Sequence, residues 1–192
     1  PETAQLIPSD FVIIGGSGDL SVRKIIPALF WRFLDKQINN KSRIIICVRS
    51  QINIDELKSK LIPHCQEALE NKPENKKHWN DFLNLLTIVN LDVVTGQGSQ
   101  ELSSILKNKI DITRPIIFYL AISSSLFGKA CDLINKEQLN LTQSRLVVEK
   151  PIGHDKSSAI EINNQFAKNA KKAIVKGRAI DAVSWFMGTI AQ

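Results

Sequence analysis

Short uninterrupted apolar runs alternate with amphipathic stretches along this chain. Phe11–Gly15 (F-V-I-I-G), Arg43–Val48 (R-I-I-I-C-V), Thr87–Asp92, Pro115–Ala121 (P-I-I-F-Y-L-A) and Arg145–Glu149 (R-L-V-V-E) predict five strands. Their continuous apolar character marks strands buried on both faces, as in a parallel sheet. Between them, Asp19–Lys36 carries Ile25, Ile26, Leu29, Phe30, Phe33 and Leu34 at helical spacing. Asp55–Leu69 reads as a second helix, capped at Asp55 and interrupted at Pro63. Asn71–Asn75 is a polar loop and Trp79–Leu86 a third helix; Gly96–Gly98 is another loop, followed by a short helix over Gln100–Asn108. Leu126–Glu137 places Leu126, Phe127, Ala130, Leu133 and Ile134 on one face, and Lys156–Lys172 closes the series as a last helix. No internal repeat is visible. The alternation predicts a doubly wound α/β fold: a mainly parallel sheet with helices on both faces and a nucleotide-sized crevice at its carboxyl edge.

The length, 192 residues, fits one domain with a tail at the usual ~100–200 residues per domain. Hydrophobic residues at 43% and charged residues at 23% exclude the disordered and low-complexity classes. The net charge of +6 favours anionic partners without choosing among them. Its basic residues are scattered, with no interleaved aromatics to stack bases, so nucleic-acid binding is not expected. The longest apolar run, Ile116–Ile122, is far below the ~20 residues of a membrane span, and Pro1–Asp10 lacks a signal-peptide pattern. Cys47, Cys65 and Cys131 are odd in number and share no C-x-x-C spacing, which argues against a disulfide framework and a zinc cage. A soluble, cytoplasmic domain without a metal is the expectation.

Three groups of residues bear on chemistry. The first strand runs into Gly15-Gly16-Ser17-Gly18-Asp19-Leu20. This is not G-x-G-x-x-G, but glycines allow a tight turn and close approach to a ligand, and the following helix start offers unpaired N–H groups to a pyrophosphate. Such turns also occur without a ligand; the position after the first strand of an α/β pattern favours dinucleotide binding. The second strand ends in Arg49-Ser50, 34 residues after Gly15, where an NAD-binding fold places a carboxylate. An arginine fork there suits a 2′-phosphate and favours NADP over NAD. The third group is Glu149-Lys150-Pro151-Ile152-Gly153, at the end of the fifth strand. Lys150 there can set an ammonium against a phosphate or a reacting hydroxyl, and Pro151 can fix the backbone as a hinge.

Taken in order, Gly15-Gly16-Ser17-Gly18-Asp19-Leu20-Ser21 with Arg23-Lys24, Val48-Arg49-Ser50, and Arg145 through Gly153 resemble the nucleotide-binding half of glucose-6-phosphate dehydrogenase. Asn90–Asp92, Tyr119–Ala121, Leu126–Gly128 and Glu161–Asn163 are similar to that family too, particularly its bacterial members. The resemblance implies a Rossmann-like NADP-binding domain over residues 10–167, after an N-terminal extension over 1–9 and before a divergent basic tail over 168–192. It implies that Gly15, Gly16, Ser17, Gly18, Asp19, Leu20, Arg49 and Ala121 contact NADP. It places Lys150 between nicotinamide and sugar phosphate and makes Pro151 the hinge of E-K-P. The family oxidises glucose 6-phosphate at C1 to the 6-phosphogluconolactone, passing a hydride to NADP+, in the oxidative pentose phosphate pathway.

The chain departs from the family in places. Gly16 and Ser21 stand where alanine is usual, and Val22 where a basic residue is usual. Ala121-Ile122-Ser123-Ser124 replaces an Ala-x-Pro-Pro turn beside the cofactor, which raises the entropic cost of holding that loop. The family's R-I-D-H-Y-L-G-K-E motif and the β+α domain with its His–Asp pair have no counterpart in the sequence given. Its histidines are His64, His78 and His154, the first two expected on solvated segments. A sugar hydroxyl must lose its proton to a base within hydrogen-bonding reach. The sequence therefore predicts a cofactor-binding half that does not turn over alone. Two alternatives remain: a non-catalytic NADP-binding remnant or sensor, and one half of a split dehydrogenase whose partner chain supplies the sugar-binding domain.

Overall fold

A computed structural model of the chain describes residues 6–108, 114–139 and 144–148. Five strands form one sheet: β1 (Asp10–Ile14), β2 (Arg43–Val48), β3 (Leu86–Asn90), β4 (Ile116–Leu120) and β5 (Ser144–Val148). The order across the sheet is β3-β2-β1-β4-β5, and each of the four strand pairs is parallel. The chain winds outward from β1 through β2 to β3, then returns to β4 on the other flank of β1. Between β1 and β4 the winding reverses, and α/β sheets bind ligands in the crevice beyond the carboxyl ends at such a point.

Alternate residues of each strand feed two cores. Ile13, Ile44, Ile46, Val48, Leu86 and Tyr119 face one way, against α1 (Ile26–Leu34), α2 (Ile54–Asn71) and α3 (Asn75–Leu83). Val12, Ile14, Ile45, Cys47, Val89, Phe118 and Leu120 face the other way, against α4 (Ser99–Lys107) and α5 (Phe127–Lys136). Both faces of the sheet are thereby covered, and this is why the strands read as unbroken apolar runs and not as alternation. On the first face Phe30 meets Trp79 edge-on at 4.9 Å between centroids and Phe82 at 5.2 Å, joining α1 to α3.

Several helix boundaries differ from the sequence expectation. Pro63 does not interrupt α2, which continues through it to Asn71. The proline is exposed, so the carbonyl one turn earlier that it leaves without a donor lies on the solvent face. The cap of α2 is Asn53, not Asp55: Asn53 Oδ1 accepts from Glu56 N–H and Glu56 Oε2 accepts from Asn53 N–H, both at 2.9 Å. This reciprocal box satisfies two orphan amide donors at once. The third helix starts at Asn75, where buried Asn75 donates through Nδ2 to Ala68 O at 2.7 Å, and it ends at Leu83; Leu86 already belongs to β3.

The first helical stretch is also irregular. A π turn over Ser21–Ile25 precedes α1, with Ile26 N–H reaching back to Ser21 O. It lies just before Pro27, which has no N–H and whose ring crowds the preceding turn. A widened turn there relieves that crowding. The expected end of the fifth strand at Glu149, the last helix over Lys156–Lys172 and the basic tail lie outside the described residues.

Candidate functional site

The glycine turn leaves β1 at the point where the winding reverses. Gly15 N–H and Gly16 N–H both donate to Cys47 O of β2, at 3.0 and 2.9 Å. On the other side Ala121 N–H donates to Ile14 O at 2.8 Å. The turn is thus pinned between the ends of β2 and β4. Gly15 has φ +88°, and a Cβ there would collide with Ala121 O and Ile122 Cγ2. A Cβ on Gly16 would collide with Ile46 Cγ2. Neither position has room for a side chain, and Gly15 also has a backbone conformation that side chains rarely adopt.

Gly18 N–H and the Ser21 hydroxyl both donate to Gly15 O, at 3.1 and 2.9 Å. Val22 N–H donates to Gly18 O at 3.0 Å, which sets the first helical turn. Among the described residues, nothing accepts from the backbone N–H groups of Ser17, Asp19 and Leu20. These are orphan donors of a helix start, gathered at the positive end of its dipole. Such a start holds an anion without further help. Asp19 itself is exposed and ion-paired with Arg23 at 3.6 Å, and Ser17 is half-buried.

Arg49 follows β2 directly and is exposed. Its carbonyl accepts a long bond, 3.5 Å, from Asn90 Nδ2 at the end of β3. Among the described residues no carboxylate pairs with its guanidinium. Asp92 lies in the loop after β3 and uses Oδ1 to cap the N–H groups of Val94 and Thr95, at 2.8 and 3.3 Å. An open groove of about 770 Å³ is lined by Val48, Gln51 and Asn90 together with Glu56 and Glu101. None of Gly15–Leu20 lines it.

Ala121 lies beside Gly15, as its collision course with a Cβ there shows. The serines after it open a short helical turn, Ser124–Leu126, that leads into α5, and the Ser123 and Ser125 hydroxyls bond each other at 3.0 Å. His64 and His78 are exposed on α2 and α3, and His78 Nδ1 lies 3.8 Å from Asp81. Lys150, Pro151 and His154 lie outside the described residues. Among the described residues no cluster of histidine, cysteine and carboxylate side chains fits a metal ion, and no helix is long and apolar enough to cross a membrane. Burial pushes the Cys65 thiol up to about 12 and, with Asp132 adding to it, the Cys131 thiol up to about 11. Cys47 is raised further, by burial first and then by Glu101. None of the three is a nucleophile.

The arrangement therefore gathers Gly15, Gly16, Ser17, Gly18, Asp19, Leu20, Arg49 and Ala121 along one edge, with backbone donors at its centre and, at one side, an arginine with no carboxylate partner among the described residues. In the sequence Ser21 stands out only as the last residue of the glycine motif and as a departure from alanine. A polar residue at a helix's first inward-facing position was the available signal, and it becomes telling only once the side chain is seen to be buried.

Comparison with known proteins gives the edge its context. Residues 12–175 match the family model described as glucose-6-phosphate dehydrogenase, NAD binding domain. The glucose-6-phosphate 1-dehydrogenase of Rhizobium meliloti (strain 1021) is 35% identical over 161 residues, covering 84% of this chain and 32% of that protein. That of Caenorhabditis elegans is 30% identical over 174 residues, covering 86% of this chain and 32% of that protein. A solved structure of a glucose-6-phosphate dehydrogenase in complex with its substrate glucose-6-phosphate superposes with a TM-score of 0.75 at 29% identity, over 86% of this chain and 35% of that one. The Mycobacterium avium enzyme shares the fold, with a TM-score of 0.71 at 24% identity over 84% of this chain and 34% of that one. The chain spans about a third of the length of these relatives and aligns with their NAD-binding part. It belongs to the glucose-6-phosphate dehydrogenase family, of which it carries the nicotinamide-dinucleotide-binding domain.

Proposed function

We propose that this chain is the NADP-binding part of a glucose-6-phosphate dehydrogenase. The observation that carries this reading is the set of orphan N–H groups at Ser17, Asp19 and Leu20, at a helix start reached through a turn whose Gly15 and Gly16 are packed against Ala121, Ile122 and Ile46. A pyrophosphate suits that donor set in charge and in size. Arg49, one strand over and free of carboxylates among the described residues, suits the 2′-phosphate that distinguishes NADP from NAD. Val48, Gln51 and Asn90 in the groove suit an adenine, while Glu56 and Glu101 in the same lining disfavour a phosphate there.

The chemistry a bound NADP+ would supply is that of a hydride acceptor for C1 of glucose 6-phosphate, whose oxidation gives the lactone. The chain's own part is to bind and orient the dinucleotide; by the family resemblance Lys150 is assigned to the sugar phosphate and nicotinamide and Pro151 to a hinge. The proton of the sugar hydroxyl needs a base at the crevice. His64 and His78 stand exposed on helices α2 and α3 and do not supply one. The chain spans about a third of its relatives' length, and we assign the sugar-binding part and its proton acceptor to the remainder of such a protein. The reaction belongs to the cytoplasmic oxidative pentose phosphate route.

Calorimetric titration of the chain with NADP+ and with NAD+ tests this reading. Measurable binding of NADP+, at least about tenfold tighter than NAD+, is the expected result, because a charge-assisted contact adds about 1.5–3 kcal/mol. Equal affinities would remove Arg49 from its role, and no binding of either would overturn the reading.

A further inference from the structure

Taking the glycine turn as a dinucleotide site, as proposed above, we infer that the Ser21 hydroxyl is a latch on the Gly15–Gly16 peptide, which makes Ser21 a positioning residue for the pyrophosphate. The peptide between two glycines has the least steric resistance to rotation of any in a chain. Here three hydrogen bonds set its orientation. Gly16 N–H donates to Cys47 O at 2.9 Å, while Gly15 O accepts from Gly18 N–H at 3.1 Å and from Ser21 Oγ at 2.9 Å. A half-turn of the peptide breaks all three. It also turns the Gly15 carbonyl out of the helix's first turn, so that its negative end is no longer neutralised by Gly18 N–H and Ser21 Oγ and opposes an anion held by the neighbouring N–H groups.

No side chain can stiffen this peptide, because Ala121 O and Ile122 occupy the place of a Cβ at Gly15, and Ile46 that at Gly16. Restraint must come from hydrogen bonds, and Ser21 supplies the only one of the three from a side chain. Ser21 is fully buried, so water does not replace its hydroxyl if it is removed. Its own backbone is fixed by the π turn, through Ile26 N–H to Ser21 O. The hydroxyl is therefore held on both sides: by the helix behind it and by the turn it restrains.

The test compares Ser21→Ala with Ser42→Ala in the 192-residue chain. Ser42 is equally buried but lies at the opposite edge of the sheet, where its hydroxyl accepts from Ser9 N–H at 3.0 Å. Ser21→Ala is expected to bind NADP+ about fivefold more weakly, the worth of one neutral hydrogen bond, and to exchange the amide hydrogens of Gly16 and Gly18 faster. Ser42→Ala is expected to bind as the unsubstituted chain does. Ser21→Cys fills nearly the same space with a weaker donor, and its affinity should fall between serine and alanine. Unchanged affinity in Ser21→Ala, or an equal loss in Ser42→Ala, would overturn the inference. Should the unsubstituted chain bind no NADP+, the dinucleotide reading fails separately, and amide exchange at Gly16 and Gly18 decides the latch by itself: unchanged exchange in Ser21→Ala rejects it.

Discussion

The two ends of the sheet treat polar groups in opposite ways. At the amino end, Asp10 is fully buried and its carboxylate takes Arg43 Nε at 2.8 Å, Arg43 Nη2 at 2.6 Å and Arg114 Nη1 at 3.1 Å. The same guanidiniums reach Ile105 O and Lys41 O. This clamp joins the starts of β1 and β2 to the approach to β4. At the carboxyl end the bonds are mostly backbone to backbone, side chains are excluded from Gly15 and Gly16, and the donors of Ser17, Asp19 and Leu20 point at no acceptor among the described residues. One edge closes its charges on itself; the other keeps its donors for something else. A buried charge must be paired within the fold, whereas exposed N–H groups at a helix start can wait in water for an anion at little cost. Stability and binding are thereby assigned to opposite edges.

The largest expected effect comes from attacking the closed edge. Asp10→Ala leaves two largely buried guanidiniums without their carboxylate, and breaking such a pair costs about 3–5 kcal/mol. Urea unfolding should show that loss, while the folded fraction keeps its affinity for NADP+. A drop in affinity as large as that in stability would mean the two edges are coupled. Next comes Gly15→Ala, which forces a side chain against Ala121 O at φ +88°. A cost of about 1–3 kcal/mol in stability and loss of dinucleotide binding are expected, read by the same unfolding curve and by calorimetry.

Arg49→Ala should be narrower still: more than tenfold weaker binding of NADP+, little change for NAD+, and an unaltered unfolding midpoint, since Arg49 is exposed. The smallest and most general effect belongs to the thiols. Cys65 and Cys131 are raised from an ordinary 9.0, so below pH 9 they are protonated whether the chain is folded or unfolded. Above about pH 9 the unfolded chain loses those protons and the folded chain does not. Stability should therefore hold from pH 6 to 8 and decline as the pH rises towards about 11 or 12, as urea midpoints across that range would show. Thiol reagents at pH 8 should label the native protein only as fast as it opens.

Much of this was legible in the residues. The five strands were visible as apolar runs because both faces of the sheet are covered, and the glycine turn and Arg49 were visible because strand ends on an α/β sheet have known addresses. The clamp was not, because Asp10 lies 33 residues from Arg43 and 104 from Arg114, and nothing local marks them as partners. Pro63 suggests a helix break in the sequence, because the sequence does not say which face of α2 meets solvent. Asp55 suggests itself as the cap because an acidic residue in a first turn and a true cap two residues earlier look alike until the Asn53–Glu56 box is seen. The latch at Ser21 was hidden for a similar reason: its meaning depends on the carbonyl of Gly15, six residues back, being turned towards it.

The most direct test of the division between edges is to follow backbone amide resonances as NADP+ is added. The account predicts the largest shifts at Ser17, Asp19 and Leu20, smaller ones around Arg49, and none at Asp10, Arg43 or Arg114. Shifts centred on the amino edge, or a glycine turn that does not respond while the dinucleotide binds elsewhere, would contradict it.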